Sequence, residues 1–137
     1  DGDGPARAIA LALADAGVGA SDIGMIVAHG NGTRASDASE AKGILRAFGG
    51  NPPPVTAFKW CIGHSLAASG ILDLVIALEA LKQNVVPGVA TLNALDAEFS
   101  TLPVSRDPQK PRSDIALVLC RGFGGMNVAL IIRAANA

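Results

Sequence analysis

The chain has 137 residues, of which 50% are hydrophobic, 4% aromatic and 17% charged. This length suits one domain or one half of a larger one, and the hydrophobic fraction excludes intrinsic disorder. The formal net charge of −1 argues against nucleic acid as a partner, because proteins that bind DNA or RNA usually carry a basic excess.

Signals for export or membrane insertion are not evident in the sequence. The first residues, Asp1 to Gly4, are not a basic stretch followed by an apolar one, and the most apolar run, over residues 71–81, is too short to span a bilayer. Two cysteines, Cys61 and Cys120, are too few for a disulfide framework. We therefore expect a cytoplasmic protein without a membrane span.

Apolar periodicity and the positions of Gly and Pro divide the chain into helices and strands. In chain order they predict a helix over Pro5–Ala16, a strand over Ile23–Ala28, a helix over Ser36–Phe48, a strand over Val55–Phe58, a helix over Ser65–Lys82, and strands over Ile115–Leu119 and Val128–Arg133. This order, αβαβαββ, predicts an α/β fold: a mixed sheet with helices on both faces and a hairpin at its end. The third helix is apolar on most sides, so we expect it to be buried.

Both histidines of the chain lie in loops that follow predicted strands, each beside a glycine. His29 precedes Gly30, His64 follows Gly63, and Lys59 lies in the same loop as His64. Sites in α/β sheets form where loops leave the carboxyl ends of strands. Two imidazoles and an ammonium can therefore converge on one pocket; the alternative is that each histidine is an ordinary loop residue.

Two neutral imidazoles suit the stabilisation of an enolate. His64 immediately precedes the predicted helix, whose positive N-terminal dipole disfavours an imidazolium, and a neutral imidazole can donate an N–H to a developing oxyanion. Lys59 needs a carboxylate if it is buried, and Glu40 is the nearest candidate because its helix follows the His29 loop. A backbone N–H in the Gly-rich turn after Arg121 can complete an oxyanion hole.

Three ordered motifs resemble those of the β-ketoacyl-acyl-carrier-protein synthases, or ketosynthases. HGNGT over residues 29–33, followed by Asp37, resembles HGTGT-x-x-x-D; KWCIGH over residues 59–64 resembles K-x-x-x-G-H; and GFGGMN over residues 122–127 resembles GFGGTN. The resemblance implies a thiolase-like fold of two similar halves. Residues 1–137 resemble the C-terminal half, without the N-terminal half.

The resemblance also implies the reaction and the residues that carry it. The reaction is decarboxylative Claisen condensation, in which malonyl-acyl carrier protein extends an acyl thioester in fatty acid or polyketide biosynthesis. By matching position, His29 and His64 are the paired catalytic imidazoles, and Lys59 pairs with Glu40. Phe123 supplies its backbone N–H to the oxyanion hole and its ring as a gate. The residues implied to contact the phosphopantetheine arm or the acyl chain are Asn31, Thr33 and Gly124.

The partners implied by the resemblance are the acyl carrier protein, the N-terminal ketosynthase half and, for the full-length protein, a second copy in a homodimer. Substrates travel on the phosphopantetheine of the carrier protein, and no separate cofactor or metal is expected. The family's nucleophilic cysteine lies in the N-terminal half, so the chain alone is expected to be inactive. Cys61 and Cys120 do not take that position, and each is expected to be a small buried residue.

Three residues depart from the family pattern. Asn31 and Met126 stand where Thr is usual, and Arg121 stands where many members have Phe; a guanidinium there needs a partner or water.

Two alternatives to an active ketosynthase half remain open. The first is a non-catalytic partner subunit of the chain-length-factor kind. The second is a metal-binding module, for which the candidate ligands are His29, Cys61, His64 and Cys120.

Overall fold

The computed structural model describes residues 1–135. Its helices are α1 (Asp3–Ala16), α2 (Arg34–Ala47), α3 (Lys59–Ile62) and α4 (Ser69–Lys82), and its strands are β1 (Met25–Val27), β2 (Val55–Thr56), β3 (Ile115–Arg121) and β4 (Asn127–Arg133). The predicted order of helices and strands is confirmed. One short helix, α3, replaces part of a stretch predicted to be a loop.

The strands form one mixed sheet in the order β2-β1-β3-β4. β1 runs parallel to both of its neighbours, so that Ile26 pairs with Val55 on one side and with Leu117 on the other. β3 and β4 are antiparallel and form the predicted hairpin. The carboxyl ends of β1, β2 and β3 therefore lie at the same edge of the sheet, and the loops that leave them are neighbours.

Side chains alternate across β1 into two separate cores. Ile26 packs with Ile9 of α1 and Ile44 of α2 on one face of the sheet, whereas Val27 packs with Ala77 of α4 on the other. Burial on both faces explains why the strand is a continuous apolar run rather than an alternating one. The prediction of helices on both faces is confirmed.

Helix α4 differs from its prediction in its start and in its burial. A 3-10 turn over Leu66–Ala68 precedes it, and the α-helix begins at Ser69, four residues later than expected. Only one face of α4 packs on the sheet, and the exposed side carries Ile71 and Val75, which are 59% and 56% exposed. The expectation that this helix is buried on most sides is wrong for this chain, because only the sheet packs against it.

Within residues 1–135 no helix combines the length and apolarity that a membrane crossing requires.

Candidate active site

The two histidines lie next to each other at the edge where β1 and β2 end. Their ring centroids are 5.2 Å apart, and the rings meet edge to face with an interplanar angle of 77°. His29 is buried and follows β1, while His64 is exposed and follows α3. The structure therefore brings together the two imidazoles that the sequence predicts to converge.

A backbone hydrogen bond orients His64. The Leu66 N–H donates to His64 Nδ1 at 3.2 Å, so a neutral His64 carries its proton on Nε2 and has that N–H to donate. Because α4 begins only at Ser69, the helix terminus does not directly follow His64 as predicted. The backbone of the intervening turn, rather than a helix dipole, orients this imidazole.

His29 is held neutral by its surroundings. Burial, followed by electrostatic interactions with Lys59, His64 and Arg121, lowers the pKa of His29 from 6.5 to about 4. Its Nδ1 is buried and makes no hydrogen bond to the described part of the chain. At neutral pH this imidazole can stabilise an oxyanion as a hydrogen-bond donor without bringing an extra proton.

The partner of Lys59 is Asp73, not Glu40 as the sequence predicted. Lys59 Nζ donates to Asp73 Oδ2 at 2.6 Å, and both side chains are buried. Burial raises the pKa of Asp73, while the hydrogen bond and charge of Lys59 oppose that shift. Glu40 is unavailable to Lys59 because α2 packs on the opposite face of the sheet from α4.

Glu40 instead holds the backbone of the His29 loop. The N–H groups of His29 and Gly30 donate to its two carboxylate oxygens at 2.7 and 3.0 Å. Burial raises the pKa of Glu40, and these two hydrogen bonds counteract the rise. Glu40 therefore positions His29 through its main chain, which differs from the role of lysine partner that was predicted.

The Gly-rich turn follows β3 and carries the other predicted site residues. Gly124 and Gly125 have φ angles of 70° and 82°, a left-handed conformation that glycine adopts without steric cost. The Phe123 side chain is 96% exposed. Within residues 1–135 its ring is thus not packed over an acyl pocket, and the predicted gate has no pocket wall to close against.

Asn31 and Thr33 contact each other in the loop after β1. The amide and the hydroxyl of Thr33 donate to Asn31 Oδ1 at 2.9 and 2.8 Å. This bond uses the carbonyl oxygen of the Asn31 side chain and leaves its NH2 group as a donor. The predicted pantetheine contacts therefore lie side by side on an exposed loop.

The sequence matches a known protein family over most of its length. The profile described as "Beta-ketoacyl synthase, C-terminal domain" matches residues 1–93. The chain belongs to this family. The resemblance seen in the three motifs is thereby confirmed.

Two curated relatives show where such ketosynthase domains occur. The tetracenomycin polyketide synthase ketoacyl synthase beta subunit of Streptomyces glaucescens is 38% identical over 130 residues, which are 95% of this chain and 32% of that protein. The 3-oxoacyl-[acyl-carrier-protein] synthase 2 of Mycobacterium tuberculosis is 35% identical over 130 residues, 95% of this chain and 31% of that protein. The chain thus spans about a third of the length of these relatives.

Solved ketosynthase structures share the fold. The ishigamide ketosynthase/chain length factor superposes with a TM-score of 0.93 at 32% identity, over 99% of this chain and 34% of that chain. A type II polyketide synthase acyl-carrier protein in complex with its ketosynthase gives a TM-score of 0.90 at 26% identity, again over 99% of this chain and 34% of that chain. The predicted thiolase-like C-terminal half is confirmed as the fold.

The two cysteines of this ketosynthase domain do not share one environment. Cys61 is exposed, and its thiol donates to the Phe58 carbonyl at 3.0 Å, whereas Cys120 is half-buried. The expectation that both are buried is therefore wrong for Cys61.

The structure from residue 1 to 135 contains no group of three or more His, Cys, Asp or Glu side chains placed to hold a metal ion. The four ligands of the metal-binding alternative do not gather into a site.

Sequence reasoning missed Asp73 as a site residue. The available signal was a carboxylate in an otherwise apolar helix, 14 residues after Lys59. A lone acid on the packed side of a helix requires a buried partner, and a lysine from a neighbouring loop is the simplest one.

Proposed function

We propose that this chain forms the C-terminal domain, over residues 1–137, of a ketosynthase that catalyses decarboxylative Claisen condensation of malonyl-acyl carrier protein with an acyl thioester. The observation that carries the proposal is the His29–His64 pair, with ring centroids 5.2 Å apart at one edge of the sheet. The low pKa of His29, about 4 because of burial and neighbouring positive charges, supplies the neutral donor that the reaction needs.

In the proposed reaction, the bond between the malonyl carboxylate and its α-carbon breaks. Carbon dioxide leaves, and the electron pair forms the enolate of an acetyl thioester. The N–H donors of His29 and His64 stabilise the negative charge on the thioester oxygen. Because this charge is larger in the transition state than in the substrate, the donors lower the barrier. The buried Lys59–Asp73 ion pair adds a fixed dipole near the two imidazoles and exchanges no protons with the substrate.

Condensation then requires a second thioester. The enolate carbon attacks the carbonyl carbon of an acyl group on a cysteine, a carbon–carbon bond forms, and the thiolate leaves. We place that cysteine in the N-terminal half, so the 137-residue chain alone is expected to catalyse no condensation. The backbone N–H of Phe123 is proposed to stabilise the second oxyanion, beside Gly124, whose φ is 70°.

The proposed substrates arrive on the phosphopantetheine of an acyl carrier protein. Asn31 and Thr33 offer an amide and a hydroxyl on an exposed loop beside the imidazole pair, which suits the amide groups of the pantetheine arm. The partnership with a carrier protein is supported by the structural neighbour that was solved as such a complex. No further cofactor is required by this chemistry.

The exposed side of α4 supports the proposal that another domain packs against this face. Ile71 and Val75 leave more than half of their surface uncovered, and an exposed apolar face of this kind marks an interface. We propose that the N-terminal half of the ketosynthase covers this face, buries Phe123 and supplies the rest of the acyl pocket. A homodimer of the full-length protein remains part of the proposal.

A second candidate function is a partner subunit of the chain-length-factor kind. Two comparisons favour it: one relative is a ketoacyl synthase beta subunit, and one structural neighbour is a ketosynthase/chain length factor. The residue at the nucleophile position of the N-terminal half separates the candidates. A cysteine there supports the condensing enzyme, and another residue supports the partner subunit.

The test measures carbon dioxide release from malonyl-acyl carrier protein by the intact protein. His29→Ala and His64→Ala are each expected to lower the rate about 100-fold or more, because each removes one oxyanion donor. Cys61→Ser is the matched control, since it alters an exposed side chain of α3, three residues before His64, that has no proposed role. Unchanged decarboxylation in both histidine variants would overturn the proposal.

A further inference from the structure

Arg121 ends β3 directly before the Gly-rich turn, and all three nitrogens of its guanidinium donate hydrogen bonds. Its Nε donates to Asn127 Oδ1 at 3.0 Å. Its Nη1 donates to the carbonyl and the hydroxyl of Ser36 at 2.5 and 3.1 Å, and its Nη2 to the Ser39 hydroxyl at 3.4 Å. The side chain therefore connects the β3–β4 hairpin to the N-terminal part of α2, across more than 80 residues of sequence.

On the hairpin side, the connection continues into the Gly-rich turn. Asn127 accepts from Arg121 with its Oδ1 and donates from its Nδ2 to the Gly125 carbonyl at 2.8 Å. The turn is closed by a hydrogen bond from the Gly122 N–H to the Met126 carbonyl at 3.0 Å. Arg121 and Asn127 thus fix the turn that presents Phe123.

On the helix side, the connection continues into the His29 loop. Ser39 is followed by Glu40, whose carboxylate accepts the N–H groups of His29 and Gly30. Arg121 and Glu40 both line one small gap between α1, α2 and the hairpin. Burial raises the pKa of Glu40, and the two backbone hydrogen bonds, followed by the charge of Arg121, oppose that rise.

Two hydrogen bonds from the His29 loop already compensate the Glu40 carboxylate, and the positive charge of Arg121 adds to them, while Lys59 is paired with Asp73. A buried carboxylate is costly without a compensating charge or hydrogen bonds, and the ammonium of Lys59 lies 2.6 Å from Asp73. Arginine also suits this place geometrically, since its planar fork has five N–H donors that can bind partners in several directions. A phenylalanine, which many ketosynthases have at this position, offers neither charge nor donors.

We propose that Arg121 is a positioning residue that holds the Gly-rich turn and the His29 loop in a fixed relation. It acts through Asn127 on one side and through Ser36 and Ser39 on the other, where α2 carries Glu40 to the His29 loop. The His29 loop carries one of the two donors to the first oxyanion of the proposed reaction, and the Gly-rich turn carries the donor to the second. The consequence for catalysis rests on the proposed function, whereas the physical connection between the loops does not.

The connection is tested by amide hydrogen exchange on the intact protein. Arg121→Met is expected to speed exchange at His29 and Gly30 and in the turn over residues 122–126 by about tenfold or more, while core amides of β3 keep their protection. Arg121→Lys keeps the charge but lacks the fork, and we expect the same pattern. The control is Arg133→Met at the far end of the hairpin, whose guanidinium lies 3.8 Å from Asp114 in an exposed pair. If the amides of His29 and Gly30 keep wild-type protection in Arg121→Met, or if Arg121→Lys restores it fully, the proposal is wrong.

Decarboxylation kinetics provide the second measurement. Misplaced donors should lower kcat for malonyl-acyl carrier protein about tenfold in Arg121→Met with KM changed less than about twofold, and added guanidinium ion should restore part of the loss. A loss confined to KM would contradict a positioning role at the imidazole pair. If the wild-type protein neither decarboxylates nor condenses, the proposed function fails, and the exchange experiment still decides whether Arg121 connects the loops.

Discussion

Lys59 and Asp73 form a buried ion pair in which the ammonium lies 2.6 Å from the carboxylate and the two side chains are only 4% and 0% exposed. The pair joins α3, which follows β2, to the packed face of α4. The second oxygen, Asp73 Oδ1, is buried and has no hydrogen-bond partner in the described residues. Neither charge can be removed alone without leaving the other uncompensated in the interior.

Asp73→Asn should therefore be strongly destabilising. It leaves the Lys59 ammonium buried without a countercharge, and the expected loss in unfolding free energy is about 3–5 kcal/mol. The double variant Lys59→Met/Asp73→Leu removes both charges and should regain most of the stability while losing activity. Urea unfolding of the intact protein measures both effects.

The control for this prediction lies on the same helix. Glu79 forms an exposed pair with Lys82 at 4.0 Å, and such surface pairs contribute about 1 kcal/mol or less. Glu79→Gln should change the stability little. An Asp73→Asn protein as stable as Glu79→Gln would show that the buried pair is not required.

The low pKa of His29 predicts a pH dependence of stability. Burial, followed by electrostatic interactions with Lys59, His64 and Arg121, lowers the pKa from 6.5 to about 4. Between these values the unfolded chain therefore binds a proton that the folded chain does not. The contribution of neutral His29 to the free energy of unfolding is fully present above pH 6.5. It is lost as the pH falls towards 4, by up to roughly 3 kcal/mol.

A variant isolates this contribution from that of the other titrating groups. His29→Asn should lose less stability than the wild-type protein between pH 7 and pH 4.5, as measured by urea unfolding at each pH. The ring proton resonances of His29 should also stay unshifted down to about pH 5. Equal losses of stability in the two proteins would contradict a neutral, buried His29.

The exposed side of α4 predicts self-association of the 137-residue chain when it is produced alone. Replacing Ile71 and Val75 together by Glu places charge in the apolar face and should shift the chain towards monomer in sedimentation velocity experiments. Leu11→Glu is the control, because Leu11 is 61% exposed on α1, on the opposite face of the sheet. A wild-type chain that stays monomeric at high concentration would contradict this prediction.

Gly30 is predicted to be essential for the placement of His29. Its φ is +46°, and a Cβ atom there would lie 2.6 Å from Ala57 Cβ, which forces the loop to move. Gly30→Ala should lower decarboxylation by about tenfold or more. Gly32→Ala is the matched control, since Gly32 also has a positive φ, of +80°, but an added Cβ meets no atom within 4 Å. Equal losses of decarboxylation activity in both variants would mean that backbone strain, and not the contact with Ala57, causes the loss.

Local sequence was sufficient for the fold class and for the location of the site. Each element shows its own burial in its sequence. β1 and β3 are continuous apolar runs, and apolar residues recur at helical spacing along α1 and α2. The histidines could be placed together because parallel strands bring their carboxyl ends to one edge, and that placement needs only the order of elements. The start of α4 could not be placed, because Leu66 adopts a positive φ of 52° and neither Gly nor Pro marks the turn.

The sequence by itself determined the order of helices and strands, the two-sided burial of the sheet and the meeting of His29 with His64. Only the tertiary structure decided that Lys59 pairs with Asp73, that Glu40 holds the backbone of the His29 loop, and that Arg121 finds its partners on α2. Each of these depends on which face of the sheet a helix covers. Hydrophobic periodicity shows that a helix packs but not on which face, so the partner of a buried charge is settled only when the layers assemble.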